Sequence, residues 1–545
     1  MTDNDNDGGS SPSLARSSAA MAVGTLASRL TGFLRTVVIA AAMGLTVAES
    51  YNVANTIPNI LYDLLLGGVL TSVVVPLLVQ AAHDDGDNGE AYAQRLVTIV
   101  GTTLLVAAAI GVALAPQIVA LYAHRLDTHE QQLAVTFARY FLPQVVFYGL
   151  GAVFGAILNT RGSFAAPMWA PVLNNLVVIV AGAIFFAITI GRPEPGQLST
   201  TQTLLLALGT TGGIVVQTIA LLPALRRVGF RLSLRWDWRG AGLRKAGPFA
   251  AWILGYVATN QVGYVVIVNL ATAAGRAQGP GGSGYSPYTF AFILFSLPYA
   301  VVAVSVITAL FPRMSRDAVE ADKTAVAEAT AGGLNLSAVL LVPSTVALVA
   351  LGPLLATVVF AHGNVGLSGA RLIGGALAGF GIGLVPFSAF QIQLRAWLAM
   401  RDSRTPFLVN VAITAVNIGA DVVLYLLLPP RAKVVGLAVG FSLSYAVGTL
   451  VFAALLRRRI GRAERRDVGR THARLAVAGL LAAIPTYAAA RLLTAGLGLG
   501  AEAAFVACIA GGLIGAAVFL GAAQRLRVAE LAELRGLLLR RLRPG

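Results

Sequence analysis

The chain has 545 residues, 57% of them hydrophobic and only 12% charged, with a mean hydropathy of +0.76. That balance excludes a water-soluble fold built around one core and places most of the polypeptide in lipid. The net charge of +16 reads as a topology signal and not as affinity for nucleic acid, because most Lys and Arg fall in loops that share one side.

In chain order, residues 1–16 form a polar tail predicted to be disordered, with no signal-peptide pattern before the first apolar stretch. About fourteen stretches then suffice to span a bilayer, near residues 17–43, 51–80, 95–121, 134–158, 166–190, 202–225, 247–273, 286–312, 328–360, 372–400, 406–428, 434–456, 475–494 and 501–523. Four basic residues lie within spans, Arg29, Arg35, Arg139 and Arg395; the rest favour the side that holds both termini, which the positive-inside rule makes cytoplasmic. The basic loops 226–245 and 457–474 would lie against the anionic leaflet. The end of the chain, 525–545, sets Leu531, Leu534, Leu538 and Leu542 on one face among arginines, the pattern of a helix resting on the membrane surface.

The first span carries two arginines in Ser28-Arg29-Leu30-Thr31-Gly32-Phe33-Leu34-Arg35. A charge near the bilayer centre costs roughly 2.5 to 3.5 kcal/mol and each central Leu or Val returns about 0.3 to 0.6, so the pair nearly cancels the segment's insertion energy. Both must face something polar. At about 100° per residue they lie about 120° apart with Gly32 between them, a cationic strip with a gap. Guanidinium forks match phosphate oxygens, which points to a phosphorylated ligand; the alternative is an ion pair with a neighbouring helix, for which Asp63 is a candidate.

A repeat organises the spans. Pro58 and Pro298 are separated by the same interval as Arg161 and Ser163 from Arg401 and Ser403, a period of about 240 that encloses six spans. Six is even, so the halves enter the membrane in the same orientation, as in transporters built from parallel repeats that bind at the interface of the halves. The predicted fold is therefore an all-α polytopic membrane protein: an N-lobe over 17–230, a C-lobe over 246–457 and two further helices within 470–524. Among the remaining intramembrane polar residues, interhelical hydrogen bonding is the commoner role for Gln144, Asn174, Asn175, Asn260, Gln261, Gln391 and Gln393. Asn417 and Asp421, spaced i and i+4, present two oxygen groups on one face and form a candidate cation or proton site. Cys508 is the sole cysteine and no histidines have zinc-like spacing, so no metal site is assigned. Loops too short for a catalytic domain make an enzyme unexpected.

The segment Ser28 to Arg35, Val53-Ala-Asn-Thr-Ile-Pro58-Asn59, Val75-Pro76, Gly155-Ala-Ile-Leu-Asn159-Thr160-Arg161 and Phe311-Pro312-Arg313-Met314-Ser315 together resemble the MurJ/MviN lipid II flippases of the MOP transporter superfamily, most nearly their actinobacterial members. The resemblance implies export of undecaprenyl-pyrophosphate-linked disaccharide pentapeptide across the bacterial cytoplasmic membrane by alternating access. It further implies a head group in a cationic cavity, a tail along the last two helices, and partnership with membrane lipids and cell-wall synthesis proteins. Arg29 and Arg35 match the family's first-helix arginines, Glu49 an acidic residue at the outer end of the cavity, and Asn417 with Asp421 a sodium site of some members. Tyr62-Asp63 stands where Gram-negative members carry two arginines, and Ile293 where they carry another, so the cavity is less basic here. The candidate substrate-binding set is Arg29, Gly32, Arg35, Glu49, Asn59 and Asp63. No cofactor is expected; coupling would come from the membrane potential, Na+ or H+. The competing readings are a cation-coupled exporter of drugs or of other polyprenyl-linked saccharides, and a non-transporting cell-wall scaffold.

Overall fold

A computed structural model describes residues 12–63, 78, 80–81, 87, 89–236, 247–464, 466–498 and 500–531, with 12–22 and 247–250 as backbone only. Among the described residues every regular element is helical. The predicted Val75-Pro76 feature, the tail before Pro12 and the amphipathic face beyond Leu531 lie outside them.

Two compact units divide the chain. Unit 1 holds residues 1–42, 54–119 and 132–250, and unit 2 holds 43–53, 120–131 and 251–545. Segments 43–53 and 120–131, inside the predicted N-lobe, thus pack with the later part of the sequence.

The first helix, α1 (Pro12–Tyr62), opens within the stretch read as tail and breaks at Gly44, whose φ of 65° and ψ of −168° only glycine adopts readily. A Cβ there would also meet the Asn364 carbonyl oxygen at 3.0 Å. Next come α2 (Glu90–Ala113), α3 (Ala115–Ala123), α4 (Thr128–Phe141), α5 (Gln144–Thr160), α6 (Ala165–Ile188), α7 (Thr200–Ile219) and α8 (Leu222–Arg227). Asp87 caps α2 by accepting the N–H groups of Gly89 and Ala91, which hold its carboxyl below the usual carboxylate range. Ser199 and Gln202 close a capping box on α7. In unit 1, α2 packs on α5 and α6 on α7, burying Leu96, Leu104, Val153, Phe154 and Ile157.

Unit 2 continues with α9 (Gly247–Arg276), α10 (Tyr285–Val319), α11 (Lys323–Phe360), α12 (Gly366–Ile382), α13 (Leu384–Ala399), α14 (Arg404–Leu427), α15 (Lys433–Ile460), α16 (Val468–Leu497) and α17 (Ala501–Arg525). Helix α11 is its centre, touching α10, α12, α14's neighbour α13, α16 and α17. The interior is aromatic: Phe295, Phe380 and Phe387 surround Phe441, which meets Tyr445 at 4.7 Å between ring centres.

The sequence repeat has a structural counterpart in each unit. Helices α6 and α14 both have 24 residues, and each follows the same helix-ending turn. Ser163 N–H donates to Leu158 O at 2.8 Å after α5, and Asp402 N–H to Trp397 O at 3.1 Å after α13. The left-handed residue is Gly162 in one and Arg401 in the other, so the register there is 239 (401 − 162), one less than the match of Arg161 to Arg401 suggests. Both preceding spans are broken, at Pro143 between α4 and α5 and at Gly383 between α12 and α13, where the chain bends by 50°. Gly383 fits because a Cβ would strike Ser442 of α15.

Among the described residues 12 helices are long and apolar enough to cross a membrane, or 13 with the bent pair α12–α13 counted as one span. The expected count of about fourteen is not confirmed among the described residues. The first two predicted stretches both fall in the helix Val23–Tyr62, which Gly44 breaks without ending, and the second runs on beyond the described residues. The chain is a multi-pass membrane protein on this geometry.

Replacing Gly44 by Ala is expected to lower the stability of the detergent-solubilised protein by about 1–3 kcal/mol. Gly212→Ala in α7, where a Cβ would meet nothing within 4 Å, is expected to leave it unchanged or raise it by up to about 1 kcal/mol. Thermal unfolding of the two variants checks the contrast.

Candidate functional site

The arginine-bearing part of α1 belongs to unit 1, where α6 fixes its rotation. Asn175 of α6 donates from Nδ2 to the Ser28 carbonyl at 3.1 Å and to Thr31 Oγ1 at 3.0 Å, and Thr31 in turn donates to Ala27 O at 2.8 Å. The Asn175 amide lies alongside Gly32, where a Cβ would stand 3.4 Å from Nδ2, at ordinary van der Waals contact. Gly32 therefore serves helix packing, and the gap read from the sequence is filled by the Asn175 amide. Two turns on, Gly182 lies against Val38 and Ile39, where a Cβ would stand 3.2 Å from Val38 Cγ1.

This staple settles where the arginines go. Ser28, Thr31 and Gly32 turn toward α6, so at about 100° per residue Arg29 lies roughly a quarter turn off that face and Arg35 close to it. Arg29 is exposed and Arg35 half-buried. Neither has a carboxylate within ion-pair distance among the described residues, and the Asp63 pairing weighed above does not form. Leu26, Leu30 and Leu34 make an exposed apolar stripe beside Arg29. Asn59 is exposed and donates back to Asn55 O at 3.0 Å, and Asp63 is exposed at the end of the described helix.

Glu49 lies in unit 2 and does something the sequence did not disclose. Its carboxylate is 1% exposed and accepts the backbone N–H groups of Gly284 at 3.1 Å, Tyr285 at 2.8 Å and Ser286 at 2.7 Å. Both oxygens are spent on the first turn of α10, where a negative charge meets the positive end of the helix. Asn52 adds a bond to Ser286 Oγ at 2.9 Å, and Ser50 donates to the Glu130 carbonyl at 2.8 Å. The segment 43–53 is thus tied to α10 and α4 by polar groups that periodicity alone does not pair. The one sequence signal was the polar run Glu49-Ser50-Tyr51-Asn52 in an otherwise apolar span.

Asn417 and Asp421 meet within α14 of unit 2: Asn417 Nδ2 donates to Asp421 Oδ2 at 2.9 Å. Asp421 is 1% exposed and its Oδ1, pressed against Gly440 of α15, has no hydrogen-bond partner. The pair therefore offers Asp421 Oδ1 as a buried unpaired oxygen, and a cation held by both residues needs the Asn417 amide to turn. Among the described residues no group of three or more His, Cys, Asp or Glu converges on a metal-sized position. Of the other polar residues, Gln144 donates to Thr211 at 2.9 Å and Asn260 accepts from Asn410 at 2.9 Å, as expected, whereas the Gln393 carbonyl oxygen has no hydrogen-bond partner. Arg139 is exposed, and Arg395 lies over the Phe311 ring at 6.0 Å.

A family model described as lipid II flippase MurJ matches residues 39–506, a span that begins after Arg35. The lipid II flippase MurJ of Burkholderia cenocepacia is 28% identical over 444 residues, covering 80% of this chain and 82% of that protein. Among solved structures, the lipid II flippase MurJ in an inward closed conformation superposes with a TM-score of 0.72 at 17% identity, over 93% of this chain and 98% of that one. A multidrug resistance MATE family transporter of the MOP superfamily, inward-facing, gives 0.58 at 16% identity over 78% and 98%.

Asn175→Leu removes the two donors that hold α1 and is expected to cost about 1–2 kcal/mol of stability. Glu49→Ala, which strands three N–H groups, is expected to destabilise more than Glu49→Gln, which keeps an acceptor. Melting temperatures of the purified variants test this order; equal and wild-type stability for both Glu49 variants would remove the helix-capping role.

Proposed function

The chain belongs to the lipid II flippase MurJ family, and from that premise we propose that it carries lipid II, the polyprenyl-pyrophosphate-linked peptidoglycan precursor, from the inner to the outer leaflet of the cytoplasmic membrane. In this reading both termini are cytoplasmic, as the distribution of Lys and Arg favours. Arg29 and Arg35 take the pyrophosphate, each through a planar fork that matches phosphate oxygens two at a time. The polyprenyl tail stays in hydrocarbon, so that the protein has only to shelter the polar head.

The observation that carries this reading is the pair of arginines left without a carboxylate among the described residues on a helix whose rotation Asn175 fixes. A cation bound in lipid without a counter-charge is costly; an anionic head group supplies the counter-charge when it binds and takes it away when it leaves. Alternation then exposes the bound head to one side and to the other in turn. Resetting draws on the membrane potential acting on these charges, at roughly 2.3 kcal/mol per charge per 100 mV, or on a cation at Asp421 and Asn417. Glu49, with its carboxylate committed to α10, acts as a fastening of helix ends in this mechanism and not as a direct ligand. Asn59 and Asp63 would border the head group on the later part of α1.

In cells depleted of the native protein, labelled lipid II is expected to collect in the inner leaflet, and the wild-type chain to restore its appearance outside without changing dye efflux. Arg29→Ala and Arg35→Ala are each expected to lower flipping by about tenfold or more, in line with the loss of a charge-assisted bond, at normal protein levels. Undiminished export with both arginines changed to Ala would end the assignment.

A further inference from the structure

A second polar site lies wholly within unit 2, away from the residues discussed so far. Where α15 ends and α16 begins, residues 461–464 and 466–467 roof a cavity of about 510 Å³. Its floor is formed by small and aliphatic side chains of α11 and α15, among them Ala331, Leu334 and Leu456. Into this floor α13 contributes the Gln393 side chain, which is 3% exposed. The Gln393 carbonyl oxygen is buried without a hydrogen-bond partner, and no described residue bonds to its amide nitrogen. A buried carbonyl oxygen left unpaired is costly unless something enters to pair with it.

The mouth is cationic. Arg457, Arg462 and Arg466 line it, and the Arg466 Nε lies 3.6 Å from the Cβ position of Gly332, so that its side chain reaches across from the turn to α11. Two carboxylates are also present, Glu464 and Asp467. Asp467 also caps the start of α16, accepting the Arg470 N–H at 3.0 Å, and three guanidiniums against two carboxylates leave the described lining net positive. The layout has two parts: guanidinium forks outside, which suit a phosphate, and one neutral amide deep inside, which suits a hydroxyl able both to donate and to accept.

We propose that this cavity is a binding site for a phosphate group bearing a short hydroxylated substituent, of the glycerol phosphate kind, with the phosphate at Arg457 and Arg462 and a hydroxyl on Gln393. The same chemistry is carried by the head group of an anionic phospholipid and by a soluble polyol phosphate. The proposal is independent of what the protein transports, since Arg29 and Arg35 take no part in it.

The test is thermal unfolding of the purified full-length protein in detergent, titrated separately with dihexanoyl phosphatidylglycerol, glycerol 3-phosphate and, as a control, dihexanoyl phosphatidylcholine. A saturable rise in melting temperature with phosphatidylglycerol supports the site and assigns a lipid; a saturable rise with glycerol 3-phosphate alone supports it and assigns a soluble ligand. In either case Gln393→Leu and Arg462→Gln are each expected to raise the midpoint concentration about tenfold, the loss that follows from one hydrogen bond to a charged or buried group. Arg462 is exposed, so its variant reports on binding even where Gln393→Leu fails to fold. No saturable rise with either phosphate compound, an equal rise with phosphatidylcholine, or a midpoint unchanged in Arg462→Gln overturns the proposal.

Discussion

Hydrocarbon offers no hydrogen bonds, and that constraint accounts for most of what is specific about this chain. Every polar group carried into the membrane must find a partner in the protein, reach water or be neutralised by a ligand. Asn175 meets the requirement by bonding to Ser28 and Thr31, and in doing so sets the rotation of α1. Arg29 and Arg35 have no such internal solution among the described residues. A helix that is otherwise fastened on one side and apolar on another is left with two cations whose partner has to come from outside the described chain.

The same constraint explains where the helices break. A broken span frees backbone groups that something must satisfy, and here specific side chains do it: Ser442 donates to the Gly379 carbonyl beside the Gly383 bend, and Thr449 to the Pro386 carbonyl just after it. Glu49 does so on a larger scale, collecting three N–H groups at the start of α10. The breaks are therefore not weak points in the packing. They are places where small residues allow close approach and polar side chains replace lost backbone bonds, which lets a membrane helix bend while remaining satisfied.

Much of the architecture was legible in the sequence because hydropathy and length are local properties. The apolar stretches, the internal repeat and the unusual charges of α1 could be read residue by residue. The continuity of α1 could not, because nothing local distinguishes Gly44, which breaks α1 without ending it, from a glycine that closes a helix. Gly32 looked like room for a ligand because spacing along one helix cannot show Asn175 arriving from another. Glu49 was singled out by resemblance alone; its partners lie far along the chain, at Gly284 to Ser286, and are backbone groups with no sequence signature. Asn417 and Asp421 were correctly placed on one face by their spacing, yet the direction of the Asn417 amide, which decides how many oxygens remain, is set by packing.

The central claim is that Arg29, a quarter turn off the α6 face, and Arg35, half-buried beside that face, both reach water while the adjoining leucines face lipid. It is tested most directly by replacing Cys508 with Ser, introducing single cysteines at 29, 35 and 30, and reacting each protein in membrane vesicles with a charged, membrane-impermeant thiol reagent. The account predicts rapid modification at 29, slower modification at 35 and little at 30. Positions 29 and 35 as unreactive as 30 would contradict it.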